Sequence, residues 1–301
     1  MKKVAVIGGS GMIASRFIDL SSKKIDTVPL DEKTLDITDG NAVETYFSEN
    51  KFDSVVNFAA YTNVDGAEAQ KGDENGLVWR LNVGGPENLA KACGKNNIFL
   101  VHISTDFVFP GTEVYPGPYR EDSELPEDSS GIGWYGWTKN RAEKEMEKSG
   151  IKYAIVRYGY PFRASEYPLK LDWARNLLRL YNEQKLYPLF DDQVYNILFI
   201  DDLVDPLTKI IGESLQGIFH IASHDTTSPY EAGKYLLQKY TGKDIEIKKG
   251  SMEEFLKNPG TTPRPRLGGL AVDQTEKRLG STFKSWKEMI NEFLEKYEKR
   301  S

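Results

Sequence analysis

A phenol and an amine four residues apart share one face of a helix, so a Tyr-x-x-x-Lys pair can set a proton donor beside a cation that steadies its phenolate. The sequence holds four such pairs: Tyr135/Lys139, Tyr181/Lys185, Tyr230/Lys234 and Tyr235/Lys239. Spacing therefore selects none of them, and position must. Only Tyr135-Gly136-Trp137-Thr138-Lys139 opens a helix, running towards Met146, that follows an apolar strand ending in Ile103-Ser104-Thr105-Asp106 after one long loop. The other three read as solvated helix faces.

A second cluster suits a phosphate. The strand Val4 to Ile7 runs into Gly8-Gly9-Ser10-Gly11-Met12-Ile13-Ala14, where a helix begins. Glycines permit a tight turn and close backbone approach, and the helix start offers unpaired amides and partial positive charge to a pyrophosphate. Two spacings fit equally: Gly9, Gly11 and Ala14 match the dinucleotide fingerprint, and Gly8, Gly11 and Ala14 match a wider short-chain dehydrogenase form. Twenty residues past Gly11, Asp31 and Glu32 follow a strand over Ile25 to Leu30, where an acidic side chain can bond an adenosine ribose 2′-hydroxyl. Lys33 beside them could instead pair with a 2′-phosphate, so the expected cofactor is NAD(H) or NADP(H). Asp36-Ile37 is a second candidate contact, on the adenine.

These groups need a frame, and the patterning supplies one. Uninterrupted apolar runs at Val4 to Ile7, Ser54 to Ala59, Ile98 to Ile103 and Tyr153 to Val156 alternate with helical patterns such as Gly11 to Leu20, Asn41 to Phe47 and Pro86 to Cys93. Such runs suit strands covered on both faces, so the fold class is α/β, a doubly wound parallel sheet over residues 1–160. Pro110 to Gly133 is a long Pro-, Gly- and acid-rich loop of the kind that borders a site. Beyond it, residues 161–301 read mainly as a smaller substrate-binding domain, with a helix over Asp172 to Asn182, a strand over Gly217 to Ile221, and Trp286, Ile290, Phe293 and Tyr297 at helical spacing. Part of that chain returns to the main sheet.

Composition narrows the partners. The 301 residues carry a net charge of −6 from 45 acidic and 39 basic side chains, with no basic face for nucleic acid. Cys93 is the single cysteine and reads as a small core residue, which suits a reducing compartment. Met1-Lys2-Lys3 and its short apolar run are too brief for a signal peptide, and no stretch approaches the ~20 apolar residues that span a bilayer. The expected location is cytoplasmic, away from membranes. His102, His220 and His224 sit in or beside strands at no metal-binding spacing, so no metal is expected.

Longer stretches carry a resemblance. Leu35-Asp36-Ile37-Thr38-Asp39, Asn57-Phe58-Ala59-Ala60-Tyr61-Thr62-Asn63-Val64-Asp65, Ser104-Thr105-Asp106-Phe107-Val108-Phe109-Pro110-Gly111, Pro118-Tyr119-Arg120-Glu121-Asp122 and Tyr135 to Lys139 resemble dTDP-4-dehydrorhamnose reductases, extended short-chain dehydrogenases. Arg264-Pro265-Arg266 and Trp286 continue the likeness more faintly. The resemblance implies a Rossmann fold and NAD(P)H-dependent reduction of a nucleotide-activated 4-keto sugar. It makes Tyr135 the general acid, Lys139 the cation that lowers its pKa, and Thr105 a donor to the same ketone oxygen. Cofactor contacts fall to Gly8, Ser10, Gly11, Met12, Ile13, Asp31, Asp36, Ile37, Ala59, Ala60, Tyr61, Asn82, Tyr135, Lys139 and Tyr158, with Asn82 also helping to position a proton. Substrate contacts fall to Thr62, Val64, Thr105, Asp106, Phe107 and Tyr160.

Departures from the family pattern bear on specificity. Tyr160 stands where many members carry a tryptophan near the sugar, Arg16 where some carry an acidic metal ligand, and Tyr195-Asn196-Ile197-Leu198 replaces a proline-containing turn. Phe107 occupies the place where the related 4,6-dehydratases carry a glutamate for water elimination. A homodimer is compatible with the resemblance. Two other readings remain: a cofactor-binding regulatory subunit similar to the methionine adenosyltransferase β subunit, and an epimerase or reductase of another activated sugar.

Overall fold

The computed structural model describes residues 1–298. Its elements begin with β1 (Lys3–Ile7), α1 (Met12–Ser21), β2 (Asp26–Leu30), α2 (Gly40–Glu49), β3 (Ser54–Asn57), α3 (Val64–Glu68) and α4 (Leu77–Trp79). A π-helical turn, Arg80–Gly84, leads into α5 (Gly85–Asn96), and β4 (Phe99–Thr105) then ends in a 3-10 turn, Asp106–Val108. Next come α6 (Trp134–Lys148) and β5 (Tyr153–Tyr158). The remainder runs β6 (Pro161–Phe162), α7 (Trp173–Asn182), β7 (Leu189–Phe190), β8 (Leu198–Phe199), α8 (Ile200–Glu213), β9 (Gly217–His220), α9 (Pro229–Thr241), β10 (Lys249–Gly250), α10 (Met252–Leu256), α11 (Asp273–Leu279) and α12 (Trp286–Glu298).

The main sheet has the order β2-β1-β3-β4-β5-β9. β1 pairs in parallel with both β2 and β3, and β3 with β4. The chain thus steps outward from β1 to β2 and comes back on the other side of β1 as β3, which makes the gap between β1 and β3 a topological switch point. In open α/β sheets ligands bind outside the carboxyl ends of the strands at such a point. Register fixes what stands there, since Ile7 pairs with Asn57 and Asn57 with His102. Continuous apolar runs form these strands because both faces are covered: Val4 to Ile7 and all four residues of β3 are buried, and so are all seven of β4.

By its internal contacts the chain divides into two compact units, each made of several segments. The first comprises Met1–Phe109, Glu124–Arg157 and Leu203–Phe219; the second comprises Pro110–Ser123, Tyr158–Asp202 and the chain from His220 on. The core of the first includes Ala5, Ile7, Val43, Val55, Leu89, Leu100 and Cys93. In the second, Phe162, Leu177, Phe199, Leu236, Ile290 and Phe293 form a separate core, joined by Trp286. Lys185 lies beyond the end of α7, so Tyr181/Lys185 does not share a helix face. Tyr235, expected to face solvent, is half-buried edge-on against Trp286 with centroids 5.4 Å apart, and it donates to Asn291 at 3.0 Å. Tyr181 and Tyr235 pack against the second core, while their lysines are exposed. No helix among the described residues is long and apolar enough to cross a membrane.

One buried ion pair locks the first unit around β4. Arg157 on β5 and Glu143 on α6 are 1% and 0% exposed at their side chains, and Arg157 Nε reaches both Glu143 oxygens at 3.1 Å. Ser104 on β4 donates its hydroxyl to the same carboxylate, and the guanidinium lies 5.0 Å from the Phe109 ring centroid. Removing one member strands the other charge away from water, at a cost of about 3–5 kcal/mol. Arg157→Ala is therefore expected to lower the urea midpoint sharply, whereas the double variant Glu143→Leu with Arg157→Met recovers much of the loss. Equal midpoints for Arg157→Ala and wild type would show the pair contributes nothing.

Candidate active site

The phosphate loop takes its shape from two glycines. Gly8 has a left-handed φ of +71°, and a Cβ there would lie 2.9 Å from the Ala59 amide nitrogen. A Cβ on Gly9 would come within 2.7 Å of the Pro29 side chain. Backbone bonds close the turn: Gly8 N–H donates to Leu30 O at 2.8 Å, and Gly11 N–H to Gly8 O at 2.9 Å. Gly11 is the N-cap of α1 and contributes no side-chain cap, and the helix opens at the switch point. A loop with no room for a Cβ at Gly8 or Gly9, packed on Pro29 and Ala59 and leading into a helix start, fits a dinucleotide pyrophosphate.

A second set gathers where β4 ends. Thr105 and Asp106 are buried, and the Thr105 hydroxyl donates to Asp106 Oδ1 at 3.0 Å. Tyr135 stands one residue into α6, half-buried, with the Phe107 ring edge-on to its own at 5.9 Å and the Thr105 hydroxyl within hydrogen-bonding reach of its phenol. The start of α6 is set by Glu68 on α3, whose carboxylate accepts from Trp134 N–H at 2.7 Å. Lys139, four residues on, is 2% exposed and makes two hydrogen bonds, both to β4: His102 Nε2 at 2.9 Å and Ile103 O at 2.7 Å.

Burial governs the acidities here. It pushes the Asp106 carboxyl up to about 7 against the opposing bond from Thr105, and it brings the Lys139 amine down to about 7 with Glu143 pulling the other way. The Tyr135 phenol is raised too, first by burial and then by the Asp106 carboxylate. Lowering of the phenol by Lys139 is thus not what this chain shows by itself. The amine is engaged on β4, and the charge that acts on the phenol is that of Asp106.

The other expected residues are placed as follows. Ala59, Ala60 and Tyr61 follow β3, with Ala59 N–H donating to Asn57 Oδ1 at 3.0 Å. Asn82 sits in the π-helical turn, fully buried, and clamps the Tyr61 backbone: its Oδ1 accepts from Tyr61 N–H at 2.7 Å, and its Nδ2 donates to Tyr61 O and to Thr138 Oγ1 at 3.2 and 3.0 Å. Thr62 is exposed and Val64 half-buried at the start of α3. Ser10 is exposed, and Met12 and Ile13 form the half-buried first turn of α1. Asp31 accepts from both the amide and the hydroxyl of Thr34 at 3.0 Å, bonds that lower its pKa, while Asp36 caps its own turn through Thr38 N–H at 2.8 Å. Ile37 is 3% exposed and belongs to the first unit's core, because Gly85 opposite leaves no room for anything but its side chain. In the second unit Tyr158 is buried, and Tyr160 adopts a left-handed φ of +46°, its ring centroid 4.2 Å from that of Tyr195 and its hydroxyl accepting from Gln193 at 2.9 Å. What sequence reasoning missed is His102, which touches Lys139; the signal was a polar residue inside a strand with no solvent face.

The model of the RmlD substrate binding domain family matches residues 1–299. The chain belongs to that family. Among curated relatives, a dTDP-4-dehydrorhamnose reductase of Mycolicibacterium smegmatis is 28% identical over 293 residues, covering 97% of this chain and 84% of the relative. Another of the same name from Streptomyces griseus is 32% identical over 230 residues, 74% of this chain and 71% of its own. Among solved structures, the dTDP-4-dehydrorhamnose reductase of Bacillus anthracis in complex with NADP superposes with a TM-score of 0.84 at 27% identity, covering 97% of this chain and 98% of that one. The RmlD-family match spans both compact units.

In this RmlD-family chain the Asp106 carboxyl provides a clean check on the site's electrostatics. Its folded pKa lies above the unfolded value of 3.8, so between about pH 4 and 7 the native state binds more protons than the unfolded one. Stability then falls as pH rises through that window. Asp106→Asn lacks the effect, so its stability relative to wild type is expected to increase from pH 4 to 7 in paired denaturation curves. A constant difference across that range would show that Asp106 titrates normally.

Proposed function

We propose that this protein reduces the 4-keto group of a nucleotide-activated sugar to an alcohol, with NAD(H) or NADP(H) as the cofactor. The observation that carries this reading is that the start of α1 and the Tyr135–Thr105 pair stand at the carboxyl ends of β1 and β4, the two strands that flank β3 in one parallel sheet. The relatives' shared name, dTDP-4-dehydrorhamnose reductase, supplies the substrate class. The first unit is then the cofactor-binding part and the second the substrate-binding part.

Gly8, Ser10, Gly11, Met12 and Ile13 would hold the pyrophosphate, Asp31 and Asp36 the adenosine end, and Ala59, Ala60, Tyr61 and Asn82 the nicotinamide ribose side. When bound, a reduced nicotinamide supplies hydride to the carbonyl carbon. The chain must then supply one proton to the carbonyl oxygen. Tyr135 does this well because burial keeps its phenol protonated throughout the neutral range. Thr105 would turn its hydroxyl from Asp106 Oδ1, to which it donates in the free chain, to the same oxygen as a second donor. Phe107 packs on the Tyr135 ring and carries no acid or base, so the site can donate a proton but lacks the glutamate that water elimination uses. Thr62, Val64, Asp106 and Tyr160 are assigned to the substrate by the resemblance.

The test is turnover of a panel of nucleotide 4-keto sugars followed by NADPH and NADH absorbance. Tyr135→Phe is expected to lower kcat by at least ~10²-fold with cofactor binding intact, the usual contribution of a general acid. Near wild-type turnover in that variant removes Tyr135 from the chemistry. Binding of cofactor without turnover of any sugar in the wild type would turn the assignment towards the regulatory reading. Gly8→Ala combines backbone strain of about 1–2 kcal/mol with a clash at Ala59, so NADPH affinity by fluorescence titration should fall about tenfold or more.

A further inference from the structure

We propose that His102 is a positioning residue for Lys139, keeping it as an uncharged amine bound to β4 until a cofactor enters. This rests on the cofactor assignment made above. The inference comes from counting protons along a buried chain of hydrogen bonds. Asn57, His102 and Lys139 are 1%, 0% and 2% exposed, so water cannot repair a mismatch among them.

The chain begins at Ala59, whose N–H donates to Asn57 Oδ1 at 3.0 Å and so fixes which way the amide faces. Asn57 Nδ2 is left 3.3 Å from His102 Nδ1. An amide NH2 has only protons to offer, so Nδ1 must be the bare nitrogen of the ring. His102 is neutral, since burial holds it well below the ordinary histidine value. Its one proton therefore sits on Nε2, which is 2.9 Å from Lys139 Nζ. An ammonium has no lone pair to accept that proton; a neutral amine has one. As an amine, Lys139 accepts from Nε2–H and still donates to Ile103 O at 2.7 Å, and every group in the chain is satisfied.

The alternatives each fail at one contact. A charged lysine would need Nε2 bare, which puts the ring proton on Nδ1, facing the Asn57 NH2. Turning Asn57 over would relieve that clash but set its NH2 against the Ala59 N–H. Either arrangement leaves buried donors opposed, at about 1–3 kcal/mol. The nearby acids are engaged elsewhere, and Glu143, which pulls the amine's value upward, is outweighed by burial. Glu143, one turn further along α6, is committed to Arg157 and Ser104; Asp106 accepts from Thr105; Glu68 on α3 accepts from Trp134 and Lys71. Lys139 must therefore gain a proton from solvent and release Nε2 before it can act as the cation beside Tyr135. Ribose hydroxyl oxygens, which accept hydrogen bonds from an ammonium, favour that change, so cofactor binding and proton uptake are coupled.

Two measurements on the full chain decide the matter. With 15N-histidine labelling there are only three rings to assign, and long-range 15N–1H correlation reads the tautomer directly. The cofactor-free protein is expected to show one ring protonated at Nε2 and not titrating from pH 5.5 to 8.5, absent in His102→Asn; His220→Asn and His224→Gln complete the assignment if that variant does not fold. An Nδ1–H tautomer at His102 would overturn the proposal. Calorimetry of NADPH binding at pH 8, in buffers of unlike ionisation enthalpy, should show uptake approaching about one proton in wild type and close to none in His102→Asn, whose amide oxygen can accept from an ammonium beforehand. Equal uptake in both proteins also overturns it. No NADPH binding at all would refute the cofactor assignment, and the tautomer would still decide for or against His102.

Discussion

Every feature of the chemistry depends on β4 having no wet face. Its seven residues are all buried, yet His102, Ser104 and Thr105 are polar, and a buried polar group without a partner is costly. Partners come from the neighbouring helix at intervals of four: Tyr135 beside Thr105, Lys139 on His102, Glu143 on Ser104. One stripe of α6 thus both completes the strand's hydrogen bonding and presents the phenol proposed as the proton donor. The spacing that suggests catalysis in the sequence is also the spacing that lets the helix dock.

Much of this was legible beforehand. The all-apolar runs announced parallel strands, because only a strand covered twice can dispense with alternation, and the glycine loop was legible because Gly8 and Gly9 answer to backbone needs that no other residue meets. Tyr135 and Lys139 could be picked from four equivalent pairs only by their place after β4. Other features were hidden for physical reasons. A lone histidine carries no periodicity, so nothing marked His102 as the lysine's partner. The conformation of Asn82 depends on a π-helical turn, and the local sequence Arg80-Leu81-Asn82-Val83-Gly84 looks like ordinary helix.

Family likeness assigns cofactor contacts to side chains that also have duties in the fold. Asp31 and Asp36 stand where the adenosine end was expected, but each already serves as an acceptor for its own turn. Ile37 lies in the core, where the missing Cβ of Gly85 makes room for it. The assembly of each unit from separated segments is equally invisible in composition. Leu203–Phe219 belongs with the first unit because Lys2 donates to Ile211 O at 2.9 Å and β9 extends the main sheet, a contact across more than two hundred residues of chain.

The π-helical turn has a consequence for how this part of the molecule tolerates change. A wide turn contains one residue more than a regular helix would need over the same length. Deleting a single residue between Arg80 and Gly84 would let the backbone relax into the common winding with the flanking helices nearly in phase, so the change of direction would fall on the side chains inside the turn itself. Asn82 could not then reach both the Tyr61 backbone and Thr138. Length in this segment is therefore held fixed by the orientation of one amide, so insertions and deletions should be excluded here even where substitutions are accepted.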